Sequence, residues 1–261
     1  MTRIGCMFQK RRKALIAYLT AGDPTPARTP ALVEALVRGG ADLIELGVPF
    51  SDPIADGPVN QRAGERALKA GTTLETVLQI ARQIRAKSEV PLLLFTYLNP
   101  VLRYGLDRLG RDAAAAGIDG CLLTDASVEE AESYVAAMHA HGLDTVFLAA
   151  PTSTPRRLKL VAQYSTGFVY LVSRTGVTGE RDSLSNAVAP LIRAVRAITE
   201  LPIAVGFGIS KPEHVAALAP QVDAVVVGSA IVRIIESNPP TLESDLETYA
   251  RSLKTSLGET A

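Results

Sequence analysis

Eight short apolar runs punctuate the chain: "ALIAYLT", "DLIELGV", "PLLLFTY", "DGCLLTD", "DTVFLAA", "GFVYLVS", "PIAVGFG" and "DAVVVGS". Each is almost continuously hydrophobic and gives way to Gly, Pro, Asp or Ser, the pattern of a strand covered on both faces. Between them the period changes. Stretches such as "PALVEALVRGG", "TLETVLQIARQIRAK", "SVEEAESYVAAMHAHG" and "AVAPLIRAVRAITE" space their apolar residues as amphipathic helices do. "AAAAG", Ala113 to Gly117, is the small-residue end of the third helix rather than low-complexity sequence.

Eight strand-then-helix units without a compositional break predict an α/β protein. The expected architecture is a single (β/α)8 TIM barrel spanning residues 1–261 as one domain. An open doubly wound sheet is the alternative, but "TAGDPTP" after the first strand is not G-x-G-x-x-G. Strands two and three are separated by more than one β/α unit. The surplus is "ELGVPFSDPIADG" followed by "PVNQRAGERALKAG", which predicts an extra helix inserted after strand two. Insertions after a strand lie on the C-terminal rim of a barrel, where barrel enzymes keep their chemistry.

Composition narrows the partners. Lys plus Arg equals Asp plus Glu at 27 each in 261 residues, so no electrostatic footprint for nucleic acid or an anionic membrane is present. The basic run "KRRK", Lys10 to Lys13, reads as a solvated lead-in to the first strand. With "ALIAYLTAG" behind it, the start mimics a signal peptide, but the apolar stretch is short and runs into "GDPTP" without a cleavage pattern. No apolar stretch reaches the length of a membrane span. Cys6 and Cys121 give neither a disulfide framework nor metal-type spacing, and Cys121 reads as a core thiol. The expectation is a cytoplasmic protein without a targeting segment, or a stromal one if the source has plastids.

Alternation in "LIELGV" puts Leu43, Glu45 and Gly47 on one face and Ile44, Leu46 and Val48 on the other. The all-aliphatic face suits the helix layer, so Glu45 is expected to point into the barrel. Desolvation there raises a carboxyl pKa and suits it to donating or shuttling a proton near neutrality. The structural alternative is a carboxylate paired with an inward Arg or Lys, which no other strand clearly supplies. Asp52 and Asp56 fall in "SDP" and "ADGP", ordinary turn chemistry, and only closeness to Glu45 raises either.

Glycines after strands six, seven and eight, in "RTGVTGE", "GFGISKPEHV" and "VVGSAIVRII", form the second signal. Such loops, with a helix N-terminus, commonly bind phosphate in barrels, and Ser229 adds a hydroxyl. Tyr18, Phe95, Tyr97, Tyr170 and Phe207 lie near strand C-termini in a chain with no Trp, which suggests a flat apolar portion of the ligand. His139 and His141 end a helix and His214 begins another, so no cluster is placed to hold a catalytic metal. No Lys falls at a Schiff-base position either; Lys211 begins a helix. A carbon-bond lyase on this frame needs an electron sink in its substrate and carboxylates to move protons.

"LIELGVPFSDPIADGP", "AYLTAGDP", "YLVSRTGVTG", "VGFGIS" and "VVVGSAIV" together strongly resemble the alpha subunit family of tryptophan synthase, from about Leu15 to the last helix. The resemblance implies a barrel that cleaves indole-3-glycerol phosphate to indole and glyceraldehyde 3-phosphate. It also implies no cofactor in this chain and a pyridoxal-phosphate-dependent beta subunit as partner, in an alpha2beta2 complex. By position, Glu45 and Asp56 match the family's catalytic pair and Tyr170 the tyrosine beside them. Gly179, Gly208, Gly228 and Ser229 match the phosphate cradle; Tyr18, Phe95, Tyr97 and Phe207 match the indole surroundings. Thr178 matches a loop threonine that closes toward the aspartate, and Pro49, Asp52 and Pro53 lie where the family meets its beta subunit. The loops at 49–60 and 174–186 are rich in Gly, Pro and polar residues, as lids often are.

Ala126 and Ser127 stand where members commonly read Leu-Pro, and Asn60 and Arg62 in the added helix are unusual too. Neither pair is expected to touch the chemistry, and the second is expected to alter the partner surface. The implied mechanism fits the missing amine and metal. Protonation of indole C3 turns that carbon into a leaving group, with the ring nitrogen as electron sink. Glu45 is the candidate proton donor; Asp56 is the candidate acceptor for the indole N–H. A stand-alone lyase releasing free indole would use identical residues. A non-catalytic activator of a beta-type enzyme is a third possibility, disfavoured by the intact acid pair and cradle.

Overall fold

The computed structural model describes residues 2–10, 13–172, 181–206 and 208–258, without the side chains of 181–187. Eight parallel strands close into a barrel in chain order. They are β1 (Ala14–Thr20), β2 (Leu43–Gly47), β3 (Leu92–Thr96), β4 (Gly120–Leu123), β5 (Asp144–Ala149), β6 (Val169–Val172), β7 (Ile203–Gly206) and β8 (Ala224–Val227). Pairing of Ala14 with Ala224 and of Ile16 with Val226 closes the sheet. Every strand coincides with one of the eight apolar runs.

The helices begin with α1 (Arg3–Lys10), α2 (Thr29–Arg38), α3 (Pro58–Lys69), α4 (Leu74–Arg85), α5 (Leu98–Tyr104) and α6 (Leu106–Ala115). There follow α7 (Glu132–Ala140), α8 (Pro155–Tyr164), α9 (Arg181–Arg196), α10 (Pro212–Leu218), α11 (Ser229–Ser237) and α12 (Leu242–Thr255). The helix added after β2 is α3. Its start is written locally: Gly57 is the extended N-cap and Pro58 takes the first turn, where its missing N–H is no loss.

Strand alternation sorts the core into two shells. Ile44, Leu46 and Val48 join the helix-layer shell with Leu32, Leu36 and Val77, whereas Leu43 joins the barrel interior with Ile16, Leu93, Leu122 and Val146. Glu45 and Gly47 therefore share the inward face, as the period of two requires. Gly47 is needed there because a Cβ would collide with the Tyr18 hydroxyl, and Gly206 makes the same room for Tyr170.

The sequence reading held no helix before β1. Yet α1 plugs the N-terminal end of the barrel, with Ile4 and Met7 in the interior cluster and the Phe8 ring 5.8 Å from that of Phe168. It is eight residues long, too short for a period to stand out beside the basic run. Aspartates brace the same end. Asp42 accepts from the Leu15 N–H and the Lys254 ammonium, both at 2.8 Å. Asp119 accepts from the Leu92 N–H at 2.8 Å and pairs with Arg85 at 2.9 Å and Arg3 at 3.1 Å. Asp223 accepts from the Ile203 N–H and pairs with Arg196. Asp144 is met by Thr2 and Thr166.

Candidate active site

At the C-terminal rim the barrel opens into a cavity of about 560 Å³. Its floor carries Glu45, beside Tyr18 across the β1–β2 pairing. Glu45 is 1% exposed, and neither carboxyl oxygen has a hydrogen-bond partner among the described residues. Burial alone pushes its pKa up, from 4.5 to about 8. A group in that state holds its proton at neutrality and can release it to a basic carbon. Tyr18 and Tyr170 flank it as neutral phenols. Burial raises both; Asp56 adds to the rise of Tyr18, and Glu45, once ionised, adds to each.

Asp56 closes a turn, its N–H on the Pro53 carbonyl at 3.1 Å, one residue before the N-cap of α3. The Tyr97 hydroxyl donates to Asp56 Oδ2 at 2.7 Å and accepts the Ala55 N–H at 3.2 Å. Asn60 Nδ2 donates to Oδ1 at 3.3 Å. Burial raises the Asp56 pKa, while the bonds from Tyr97 and Asn60 pull it back down. The two acids thus differ in kind: one is dry and unpartnered, the other held by neutral donors.

At the same rim, Gly228 caps α11 and Ser229 opens it, with Gly208 in the left-handed region at φ 73° also on the cavity wall. Free N–H groups at a helix start attract anions. Arg233, one turn on, reaches Ser229 Oγ at 3.4 Å and lines the cavity, so a cation stands beside that helix start. Phe95, Leu148, Val172 and Val226 supply apolar wall to the same cavity.

Of the residues singled out in the sequence, Glu45, Asp56, Tyr18, Phe95, Tyr170, Gly208, Gly228 and Ser229 meet on this wall. Tyr97 stands off it, behind Asp56, with its ring 5.3 Å from Phe50. Thr178, Gly179 and Phe207 lie outside the described residues, as does most of the 174–186 loop. On the presumed partner face Asp52 is exposed and Pro53 half-buried, whereas Pro49 is buried and offers no surface. Ile54, not singled out in the sequence, is 83% exposed.

One expectation is corrected. Expected to stand clear of the chemistry, Asn60 instead lines the cavity and bonds to Asp56. Residue 60 sits four positions after Asp56, which faces the two together once a helix begins at Pro58. Arg233 was also missed; its signal is the same spacing, four after Ser229. Arg62 is engaged within the chain. It forks onto Glu236 of α11 at 2.7 and 2.9 Å, joined by Arg66, which forks in turn onto Asp23.

Fold and rim define a class: a (β/α)8 barrel with one buried and one half-buried acid and an anion-attracting helix start facing one cavity. Among the described residues no group of three or more His, Cys, Asp or Glu side chains is placed to hold a metal. No helix among them is long and apolar enough to cross a membrane. Sequence comparison then specifies the class. The family model described as tryptophan synthase alpha chain matches residues 6–259. The alpha chain of Solibacter usitatus is 79% identical across the full length of both chains. The structure of the Legionella pneumophila alpha subunit superposes with a TM-score of 0.91 at 38% identity, covering 99% of each chain. A chain from the a2b2 complex of Pyrococcus furiosus gives 0.87 at 42%, covering 92% of this chain and 97% of that one. The chain belongs to the tryptophan synthase alpha chain family.

Proposed function

We propose that the chain, acting as a single domain, cleaves indole-3-glycerol phosphate to indole and glyceraldehyde 3-phosphate by carboxylate acid/base catalysis. Glu45 carries the assignment, being a buried carboxyl with no hydrogen-bond partner among the described residues, whose proton is poised near neutrality on the cavity floor. It delivers that proton to indole C3. The C3–C1′ bond then breaks, its electron pair returns to the ring, and the glycerol hydroxyl becomes the aldehyde. That hydroxyl proton resets Glu45, so one proton enters, one leaves and none is gained overall. Asp56 accepts the indole N–H and stabilises the positive charge that develops on nitrogen. The phosphate sits at the start of α11, with the Gly228 and Ser229 N–H groups, the Ser229 hydroxyl and Arg233 around it. Gly179 and Thr178 complete the cradle and loop from the family pattern, and Phe207 the apolar wall.

We further propose a pyridoxal-phosphate-dependent beta subunit as partner, in an alpha2beta2 complex that receives the indole. Ile54 and Leu102, exposed apolar residues after β2 and β3, support a docking face there. Asp52 and Pro53 lie in the same loop. The expected location is the cytoplasm, or a plastid stroma if the source has plastids. Purified chain is assayed on indole-3-glycerol phosphate alone and with a beta subunit. Cleavage that rises with the partner is expected, and no cleavage under either condition overturns the assignment.

A further inference from the structure

Asn60 stands in the first turn of α3, on the cavity wall, with its Nδ2 on Asp56 Oδ1. Its Oδ1 is buried and meets no partner among the described residues. The two atoms are informative together. A buried amide oxygen without a partner carries a desolvation penalty that an aliphatic side chain of similar size avoids. Turning the amide over would not help, because Oδ1 would then face a carboxylate that, once ionised, only accepts. The local fold tolerates an orphaned oxygen for the sake of one hydrogen bond, and that bond ends on the acid the mechanism uses. A residue kept only for packing would not be an amide.

The surroundings of Asp56 give the bond its weight. Glu45 of β2, Tyr18 of β1, Tyr170 of β6 and Arg233 of α11 line the same cavity, and Tyr97 after β3 stands behind Asp56; these are the titratable or charged groups described around it. Among the described residues no cation is paired with Asp56, so neutral donors alone oppose its burial. Tyr97 holds Oδ2 and Asn60 holds Oδ1. The terminal torsion of an aspartate is soft, and two donors from different elements, one per oxygen, fix its plane.

We propose that Asn60 is a positioning residue of this enzyme: with Tyr97 it grips both oxygens of Asp56, setting the carboxylate plane toward the substrate N–H and keeping it ionised. The proposal rests on the function assigned above, and it gives the inserted helix a part in the chemistry as well as in the scaffold.

The test is Asn60→Leu, of similar size without the donor. The variant is expected to unfold at the same temperature as the wild type or higher, because the orphaned oxygen is gone. Its kcat is expected to fall about tenfold, as loss of a hydrogen bond to a charged group implies. KM is expected to stay near the wild-type value, with the acid limb of the kcat/KM profile moved to higher pH. Asn60→Asp sets a like charge beside Asp56 and should move that limb further. Titration of the Asp56 carboxyl, followed by carbon NMR in ligand-free protein, should show the same upward order. A folded Asn60→Leu variant with an unshifted midpoint and unchanged kcat overturns the proposal. So does a destabilised variant with the wild-type acid limb. If wild-type protein fails to cleave indole-3-glycerol phosphate, the assigned function falls, while the NMR titration still reports whether Asn60 controls Asp56.

Discussion

The two ends of the barrel use the same chemical group in opposite ways. At the N-terminal end Asp42, Asp119 and Asp223 are met by a strand N–H and by helix cations, and Asp144 by the hydroxyls of Thr2 and Thr166 in the flanking loops. At the C-terminal end Glu45 is more deeply buried, at 1% exposure, and among the described residues no donor meets it. A carboxylate saturated with donors has a fixed charge and serves as a strut between strand and helix. One left dry has a charge that environment alone decides, and it can trade a proton. Position is not what divides them. Asp23 lies near the C-terminal rim, 1% exposed, yet the Arg66 fork saturates it and it belongs with the struts.

The largest test is Glu45→Gln, which turns the dry acid into a dry amide. Cleavage is expected to fall by about a thousandfold, within the range for a lost general acid, while substrate still binds. Substantial residual turnover in a steady-state assay removes Glu45 from its role. The same variant reads the energetics. The folded pKa of about 8 lies above the ordinary 4.5, so between those values the folded state binds more protons than the unfolded one. Stability from this group is therefore full below the lower value and declines as pH rises through the higher, by an amount on the order of a few kcal/mol. Denaturant unfolding across that window should show the decline in wild type and its absence in Glu45→Gln.

Asp56→Asn comes next. It keeps the shape but loses the negative charge opposite the developing cation, and kcat should drop about a hundredfold. Its unfolding should change little, since Asp56 braces no strand. A kcat within threefold of wild type, taking about threefold as the limit for a minor electrostatic contribution, would move Asp56 to the class of turn residues.

That last contrast marks how far the sequence carries. Glu45 is legible because a strand has a period of two, and a single acid in an aliphatic run declares its face. The eight strands are legible for the same reason, each apolar run matching one strand to within a residue or two at its ends. Asp56 is not legible from position, since "ADGP" describes any turn into a helix; only family likeness singles it out. Asn60 and Arg233 escape because their meaning depends on where a helix begins. Each lies four residues after its partner, a spacing without content until α3 and α11 exist. The plug α1 escapes because eight residues make too little pattern.

On the strut side, Lys254→Met takes one ammonium away from the Asp42 carboxylate. Both side chains are almost wholly enclosed, at 2% and 5% exposure. Removing one partner of a buried pair costs up to about 3–5 kcal/mol, and less where the remaining charge keeps other donors, as Asp42 keeps the Leu15 N–H. The unfolding midpoint should fall sharply while kcat, measured where the variant is folded, stays at the wild-type value. Asp42→Asn in the same chain should restore part of the loss. A drop in kcat with little change in midpoint would mean that the two ends are mechanically coupled.

The finest distinction is between two partners of acids, Arg85 on Asp119 and Tyr97 on Asp56. Both donate to a partly buried carboxylate, at 2.9 and 2.7 Å. Arg85 brings a charge and also holds the Gly117 and Ser88 carbonyls, so it ties three segments of the N-terminal end together. Tyr97 brings a neutral hydroxyl and holds the Ala55 N–H, in a loop open to water. Tyr97→Phe removes only that hydroxyl. Solvent can then satisfy the Ala55 N–H, so stability should change by no more than about 1 kcal/mol. Asp56, with one oxygen released and burial less opposed, should titrate at higher pH, and kcat should fall roughly fivefold. Arg85→Met should do the reverse, lowering the midpoint with kcat untouched. If Tyr97→Phe instead behaves like Arg85→Met, the donors around Asp56 are struts as well, and Glu45 alone separates the two ends of the barrel.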